Sequence, residues 1–415
     1  APIFPTTIDP TITMPTNKIV IENPKSTVVA NYQAEARTET QYQSEAALEE
    51  AFIRLLQDQA YEYLPLHTEQ ELISNLRRQM EALNDISFTD TEWKRFYTTI
   101  LANQNNGIVE KTRLIQEDNV QTFLFDNGEQ KNLRIFDRKN VHNNRLQVIN
   151  QYTPEGGARD NRYDVTILVN GLPLVHVELK RRGVPIREVF NQINRYQRES
   201  FWSGTGLFQY VQIFVISNGT ETKYYSNTTR FAHVRQNGGK QKPGQGRHTS
   251  NSFEFTSWWA DEQNVPITDL TDFTKTFFAK HTLLNIIAKY CVFTSEQLLM
   301  VMRPYQICAT EKIINRVIIA HNYHWEGSLQ AGGYIWHTTG SGKTLTSFKT
   351  ARLATQLDFI DKVVFVVDRK DLDYQTMKEY DRFEKGAANS NTSSNILRRQ
   401  LASSDPQKKL VITTI

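Results

Sequence analysis

Residues 161–183 read NRYDVTILVNGLPLVHVELKRRG. Two apolar, branched runs, Tyr163 to Val169 and Leu174 to Leu179, flank Asn170-Gly171, a dipeptide that accepts the positive φ values of a tight hairpin. Side chains alternate along a strand, so Glu178 and Lys180 share one face, while Val175, Val177 and Leu179 take the other and point to a core. Asp164 on the first strand is the natural third member of the polar face. Parity sets a condition on that grouping. A regular two-residue turn at Asn170-Gly171 pairs Asp164 with Val177, on the wrong face. Pairing with Glu178 requires an odd-length connection or a bulge. The bland alternative is a surface hairpin with a local ion pair.

The pattern on either side extends this hairpin into a mixed α/β region. A helix is expected from Ser44, with Leu48, Phe52, Leu55 and Leu56 at helical spacing. Helical patterns continue through Glu69 to Leu83 and Asp90 to Leu101. Strands are expected at Thr122–Phe125, Leu133–Phe136 and Gln147–Gln151. After the hairpin come a helix from Ile186 to Glu199 and an apolar strand from Val211 to Ser217. Glu45 and Glu49 share one face of the first helix, and Gln192 and Tyr196 lie one turn apart on the later one, so either pair can reach the hairpin's polar face. A polar solvent face explains both pairs equally simply. Residues 1–40, rich in Pro, Thr and Asn, read as a loosely held tail. Residues 230–250 carry five basic and no acidic side chains, with Lys240 and Lys242 among them. They read as a basic surface loop, either a phosphate-backbone contact or a tolerated insertion.

The bulk properties set outer limits. The chain has 415 residues, 39% of them hydrophobic and 22% charged, enough for two or three domains with real cores. The apolar stretch Leu283 to Phe293 is broken by Lys289, so a membrane span is not expected. The two cysteines, Cys291 and Cys308, lack metal-ligand spacing and fit a reducing cytoplasm. The net charge of +3 says little about partners, which must be argued from local sites.

A second domain is expected to follow residue 260. Pro304 opens a helix. Gly333 to Trp336 reads as a strand, Thr344 to Leu357 as a helix, Val363 to Val367 as a buried parallel strand, Asp371 to Phe383 as a helix, and Leu410 to Ile415 as a further strand. This order predicts a parallel sheet that is incomplete at residue 415, hence a piece of a longer protein. Between strand and helix lies HTTGSGKT, residues 337–344. Its small residues, Thr339, Gly340, Ser341 and Gly342, leave backbone N–H groups free to face phosphate oxygens. Lys343 can reach the β- and γ-phosphates of ATP, and the Thr344 hydroxyl can ligate Mg²⁺. His337 replaces the usual first glycine of such a loop. No Asp-Glu pair closes an apolar strand after residue 344, so the chain alone is expected to hydrolyse ATP poorly.

Two resemblances rest on these residues. Asp164 with Glu178-x-Lys180 resembles the signature of the PD-(D/E)xK nucleases, with Tyr163 where a proline is usual. In that superfamily two carboxylates hold Mg²⁺ and a lysine assists the attack on phosphate. The resemblance makes Asp164 and Glu178 the metal ligands and Lys180 the catalytic cation. Gln192 and Tyr196 resemble the supporting motif of RecB-like nucleases. Glu45 or Glu49, favoured equally, completes the site. Arg303-Pro304-Tyr305-Gln306 resembles the adenine-reading element of superfamily 2 helicases, which implies that Gln306 reads the base and Tyr305 stacks on it. Arg369 and Lys370 occupy the position of a loop that grips nucleic acid in such motors.

A nuclease of this kind ahead of a superfamily 2 motor resembles the restriction subunit of type I restriction-modification enzymes, close to the EcoR124I-like subgroup. The wording of FNQINRY, VMRPYQICATEKI and GGYIWHTTGSGKTLTSFKTA carries the likeness. It implies a PD-(D/E)xK nuclease domain over residues 41–260 and a truncated RecA-like helicase domain over 261–415. It also implies a cytoplasmic enzyme that uses ATP and Mg²⁺ to move and cut double-stranded DNA, partnered by modification and specificity subunits. Three other readings compete: a RecB-like repair nuclease-helicase, a phosphate-loop ATPase with a structural α/β domain, and a DNA-binding module without catalysis. The first is separated by the sequence beyond residue 415, the second by metal-dependent cleavage, and the third by its indifference to loss of Lys180 and Lys343.

Overall fold

The computed structural model describes residues 27–34, 44–153, 163–190, 206–227, 253, 256–367, 370–383, 385, 389–390, 394–405 and 408–414. Helix α1 (Glu45–Asp58) starts at Ser44, whose hydroxyl accepts the Ala47 N–H. Leu48, Phe52 and Leu56 lie on its buried face, and Leu55 is half-buried. Strand β1 (Glu62–Tyr63) is followed by α2 (Glu69–Asn84), α3 (Asp90–Phe96), which continues as a wider π turn to Leu101, and α4 (Ile108–Gln116). Reciprocal Thr and Glu capping opens both α2 and α3, as Thr-x-x-Glu spacing predicts. The antiparallel pair β2 (Val120–Leu124) and β3 (Gln130–Arg134) stands apart from the main sheet.

The main sheet has six strands. Its later members are β4 (Leu146–Tyr152), β5 (Tyr163–Val169), β6 (Leu172–Leu179), β7 (Ile213–Ser217) and β8 (Thr222–Ser226), and the order is β1-β4-β5-β6-β7-β8. The pairs β1/β4 and β6/β7 are parallel and the others antiparallel. Strand β6 is buried along its whole length, as a central strand covered on both faces should be. Helical residues 186–190 follow it, and the rest of the helix expected to Glu199 lies outside the described residues.

The stretch after residue 256 stays with this sheet. Short pairs β9 (Trp259–Ala260) with β10 (Pro266–Ile267) and β11 (Cys291–Phe293) with β12 (Leu299–Val301) frame helices Leu270–Thr276 and Lys280–Asn285. Phe278 packs against Phe52 of α1, with ring centroids 5.6 Å apart, and its carbonyl accepts the Tyr61 hydroxyl at 2.8 Å. Core packing is continuous across this stretch. Within the expected loose tail, residues 27–34 are also held. Val28, Val29 and Tyr32 are buried, and the Glu311 carboxylate accepts the Val28 N–H at 2.7 Å and the Val29 N–H at 3.3 Å. Backbone donors captured by a buried carboxylate leave no apolar period to read, which is why the sequence pattern missed them.

The remaining described strands are β13 (Val363–Val367), β14 (Asn389–Ser390) and β15 (Leu410–Thr414), a parallel sheet in the order β13-β15-β14. Helices Pro304–Asn322 and Lys343–Ala354 pack together beside it, and helix Lys370–Phe383 follows β13. Parallel pairing is as expected, but two features differ from expectation. Strand β13 is at the sheet edge, with Val364 and Val366 exposed rather than buried. Gly333 to Trp336 is not a strand at all, and Tyr334 and Trp336 are 89% and 88% exposed. A strand exists only with a neighbour to take its N–H and C=O groups, and among the described residues none lies beside this segment.

Candidate active site

The hairpin meets the parity condition by a bulge. Asn170 and Gly171 have φ of 53° and 82°, the two positive values of a type I′ turn. Val169 pairs with Leu172 and Leu168 with Pro173, but Ile167 then pairs with Val175, leaving Leu174 as the extra residue. From there Thr166 faces His176 and Val165 faces Val177, so Asp164 comes level with Glu178. The turn is pinned from behind. A Cβ on Gly171 would lie 2.7 Å from the Leu76 Cα, and the Asn170 amide binds Asn144 and the Arg145 N–H.

Asp164, Glu49, Glu45 and Lys180 line one cleft of about 790 Å³ between α1 and the sheet, together with Asn150 and Gln151. Asp164 Oδ2 accepts the Leu179 N–H at 2.9 Å, and Lys180 Nζ lies 3.1 Å from Glu45 Oε2. Glu178 lies beneath the cleft, fully buried, with Oε2 3.2 Å from His176 Nε2. Glu45 and Glu49, equal candidates in the sequence, separate here. Glu45 pairs with the lysine, whereas Glu49 is buried and takes the Asn150 and Gln151 amides.

The electrostatics of the row bear on a cation. Burial, and next the neighbouring Glu178, push Asp164 up to about 8; the Leu179 N–H and Lys180 offset this in part. Two carboxylates in a low-dielectric site cannot both ionise cheaply unless positive charge joins them. Burial pushes His176 down to about 4, so its ring is neutral at ordinary pH. A neutral ring has one donor and one acceptor: Nε2–H can donate to Glu178 while Nδ1 accepts the Thr166 hydroxyl at 3.3 Å. Among the described residues, no three His, Cys, Asp or Glu side chains converge tightly enough to hold a metal by themselves. Asp164 and Glu178 fit a hard cation that keeps several non-protein oxygens, as Mg²⁺ habitually does.

Other expected residues fall elsewhere. Gln192, Tyr196, Lys240, Lys242 and Arg369 lie outside the described residues, and Lys370 is the first residue of its helix. Tyr305 Oη and Gln306 Nε2 both donate to the Ser341 carbonyl, at 2.8 and 2.9 Å. The two side chains expected at adenine thus brace the glycine-rich loop here. Gly340 and Gly342 have φ of 79° and 81°, Thr339 is exposed, Lys343 is exposed with Nζ 3.5 Å from the Thr338 carbonyl, and Thr344 begins the helix with it. Sequence reasoning missed His176, Asn150 and Gln151. Parity alone would have found His176, two residues before Glu178.

The six-stranded sheet thus carries Asp164, Glu178 and Lys180 close together, and a glycine-rich loop stands at a later helix start. Residues 42–233 match the family model described as type I restriction enzyme R protein N terminus, and residues 305–415 match that of the SWI2/SNF2 ATPases. An Escherichia coli protein named type I restriction enzyme EcoprrI endonuclease subunit is 47% identical over 301 residues, 72% of this chain and 90% of that protein. The SsaAORF53P endonuclease subunit of Staphylococcus saprophyticus is 38% identical over 380 residues, 90% of this chain but only 37% of that relative. The chain belongs to the type I restriction enzyme endonuclease subunits. Among the described residues no helix is long and apolar enough to cross a membrane.

Proposed function

We propose that this chain carries the nuclease and the first part of the motor of a type I restriction enzyme. On this reading residues 41–260 form a PD-(D/E)xK nuclease and 261–415 belong to a RecA-like superfamily 2 motor. The enzyme uses ATP to translocate double-stranded DNA and cuts a phosphodiester away from the recognition site. Modification and specificity subunits in the same cytoplasmic complex supply site recognition. The observation that carries the reading is the bulge at Leu174, which brings the buried Glu178 level with Asp164, a residue that lines the same cleft as Lys180.

Asp164 and Glu178 would hold Mg²⁺, which supplies charge to the phosphate and lowers the pKa of water. Lys180, at the strand end, places a cation where negative charge grows on the phosphate. Its contact with Glu45 must open for that role. His176 keeps Glu178 oriented from beneath. At the second site the loop N–H groups and Lys343 would take the phosphates of ATP, with Thr344 toward its Mg²⁺. Arg369 and Lys370, and Lys240 and Lys242, are candidate contacts to the DNA backbone, and Gln192 and Tyr196 candidate supports of the nuclease site.

The test compares Lys180→Ala and Lys343→Ala in the complete restriction subunit assembled with its partners. Lys180→Ala should lower cleavage roughly 10²–10⁴-fold and leave ATP hydrolysis intact, while Lys343→Ala should abolish both. Normal cutting by Lys180→Ala sinks the nuclease assignment.

A further inference from the structure

At the β8 edge of the main sheet, two cations stack on two aromatic rings. The Arg187 guanidinium lies 5.7 Å from the ring centroid of Phe253, and the Lys223 ammonium lies 4.6 Å from the same centroid and 4.5 Å from that of Trp258. Lys223 Nζ also donates to the Thr256 hydroxyl at 3.2 Å, and that hydroxyl donates to the Phe253 carbonyl at 2.7 Å. A ring face attracts a cation through its quadrupole. Rings and a hydroxyl are neutral, so they fix both side chains and leave the positive charge in place. Arg187 is exposed and the other three are half-buried. Burial pulls the Lys223 ammonium below its ordinary value, and the nearby Glu221 offsets this only in part. Among the described residues neither cation has a carboxylate in ion-pair range. A partly desolvated cation gains more from an incoming anion than a fully hydrated one does.

The stack is in register with the candidate active site. Glu178 on β6 pairs with Ile216 on β7, and Ile216 pairs with Lys223 on β8. Paired residues point to the same face of a sheet. Lys223 therefore shares the row and face of Glu178, two strands away, or roughly 10 Å at the usual strand spacing. The Lys180 N–H donates to the Ser217 carbonyl, and Ser217 pairs with Thr222, the neighbour of Lys223. Arg187 belongs to the helical residues 186–190 that follow β6, and Phe190 beyond it packs on Tyr225 of β8 and on Phe253. In sequence, β8 and Phe253 flank the stretch 230–250, with five basic and no acidic side chains. That stretch lies outside the described residues and is no part of the stack, but its charge favours a polyanion over a small anion.

We propose that Arg187 and Lys223, held by Phe253 and Trp258, form a backbone-binding subsite for duplex DNA in the cleft. It grips a phosphate about two or three nucleotides from the one to be cut, given an axial rise of about 3.4 Å per nucleotide. The proposal rests on the nuclease reading of Asp164, Glu178 and Lys180 and adds a contact to the substrate of that site. Phosphate contacts fix the register of a duplex and carry no sequence information.

The test measures the affinity of the full chain for a labelled DNA duplex by fluorescence anisotropy, in EDTA, over a range of salt concentrations. Lys223→Met and Arg187→Met should each lower the slope of log affinity against log salt by about 1 and bind roughly tenfold more weakly at about 0.1 M salt. The double variant should lower the slope by about 2. Lys223→Arg should keep the slope. Phe253→Leu removes a ring and leaves both charges, so it should keep the slope but bind about 2–10-fold more weakly, because the side chains must then be ordered on binding. A merely structural role for Lys223 would lower Tm in Lys223→Met and leave the slope unchanged. An unchanged slope in the double variant overturns the subsite and leaves the nuclease reading standing. Absence of salt-dependent duplex binding by the unaltered chain overturns both.

Discussion

Lys180 and Lys343 are the two lysines on which the proposed function turns, and their settings are opposite. Lys180 ends a fully buried strand, lies 3.1 Å from Glu45, and has a side chain 22% exposed. Lys343 is exposed, begins its helix behind a loop braced by Tyr305 and Gln306, and follows a segment with no strand partner among the described residues. Six paired strands fix the first site before any ligand arrives. The second rests on a three-stranded sheet whose edge strand leaves Val364 and Val366 exposed. A site built across strands is complete once the strands pair, whereas a loop site is only as firm as the strand that leads into it.

The largest effect that would test this contrast is Phe52→Ala. Phe52 is buried on α1 against Phe278, on the helix that carries Glu45 and Glu49. Its truncation should cost about 3–5 kcal/mol, read by urea unfolding. A cost below about 1 kcal/mol would mean that α1 is not the rigid wall of the cleft.

The parts of the first site that depend on local periodicity were legible. Alternation placed Glu178 and Lys180 on one face, helical spacing placed Glu45 and Glu49 together, and parity demanded an odd-length connection or a bulge, of which the structure has the bulge, at Leu174. Asn150 and Gln151 were not legible, because their role depends on which strand lies beside β5 and on a left-handed residue that composition does not announce. The segment Gly333–Trp336 shows the converse. Its pattern is that of a strand, but hydrogen-bonding partners, not pattern, make one. Residues 27–34 escaped because they are held by backbone N–H groups on Glu311.

That anchor gives the next effect, at the seam between the regions. Burial pushes Glu311 from its ordinary 4.5 up to about 8, against the pull of the Val28 and Val29 N–H groups, Tyr290 and Lys289. A carboxyl raised in the folded state binds its proton more tightly there than when unfolded. The stability it contributes is therefore present below pH 4.5 and lost as pH rises through about 8. Chemical denaturation between these limits should show stability falling by a few kcal/mol, with a shallower fall in Glu311→Gln. Asp164 has the same sign, so some slope should remain. An unchanged slope would remove Glu311 as the anchor.

Two glycines allow a matched comparison. Gly171 and Gly340 have φ of 82° and 79°, but a Cβ meets the Leu76 backbone at the first and nothing within 4 Å at the second. Gly171→Ala should cost about 2–3 kcal/mol, strain plus overpacking, and Gly340→Ala about 1 kcal/mol, strain alone. Equal costs in thermal unfolding would erase the difference in packing between the two sites.

The smallest expected effect discriminates most sharply. Trp336 is 88% exposed, so Trp336→Ala should change the unfolding free energy of this chain by less than about 0.5 kcal/mol, as for other exposed positions. If Gly333 to Trp336 instead paired as the strand its pattern suggests, the indole would pack within a sheet and its loss would cost about 3–5 kcal/mol. The two outcomes differ by more than the error of a denaturant titration. A small cost would leave the glycine-rich loop hanging on an unpaired lead-in, as in this structure. A large one would place its strand in the sheet and give Lys343 a base as firm as the one beneath Lys180.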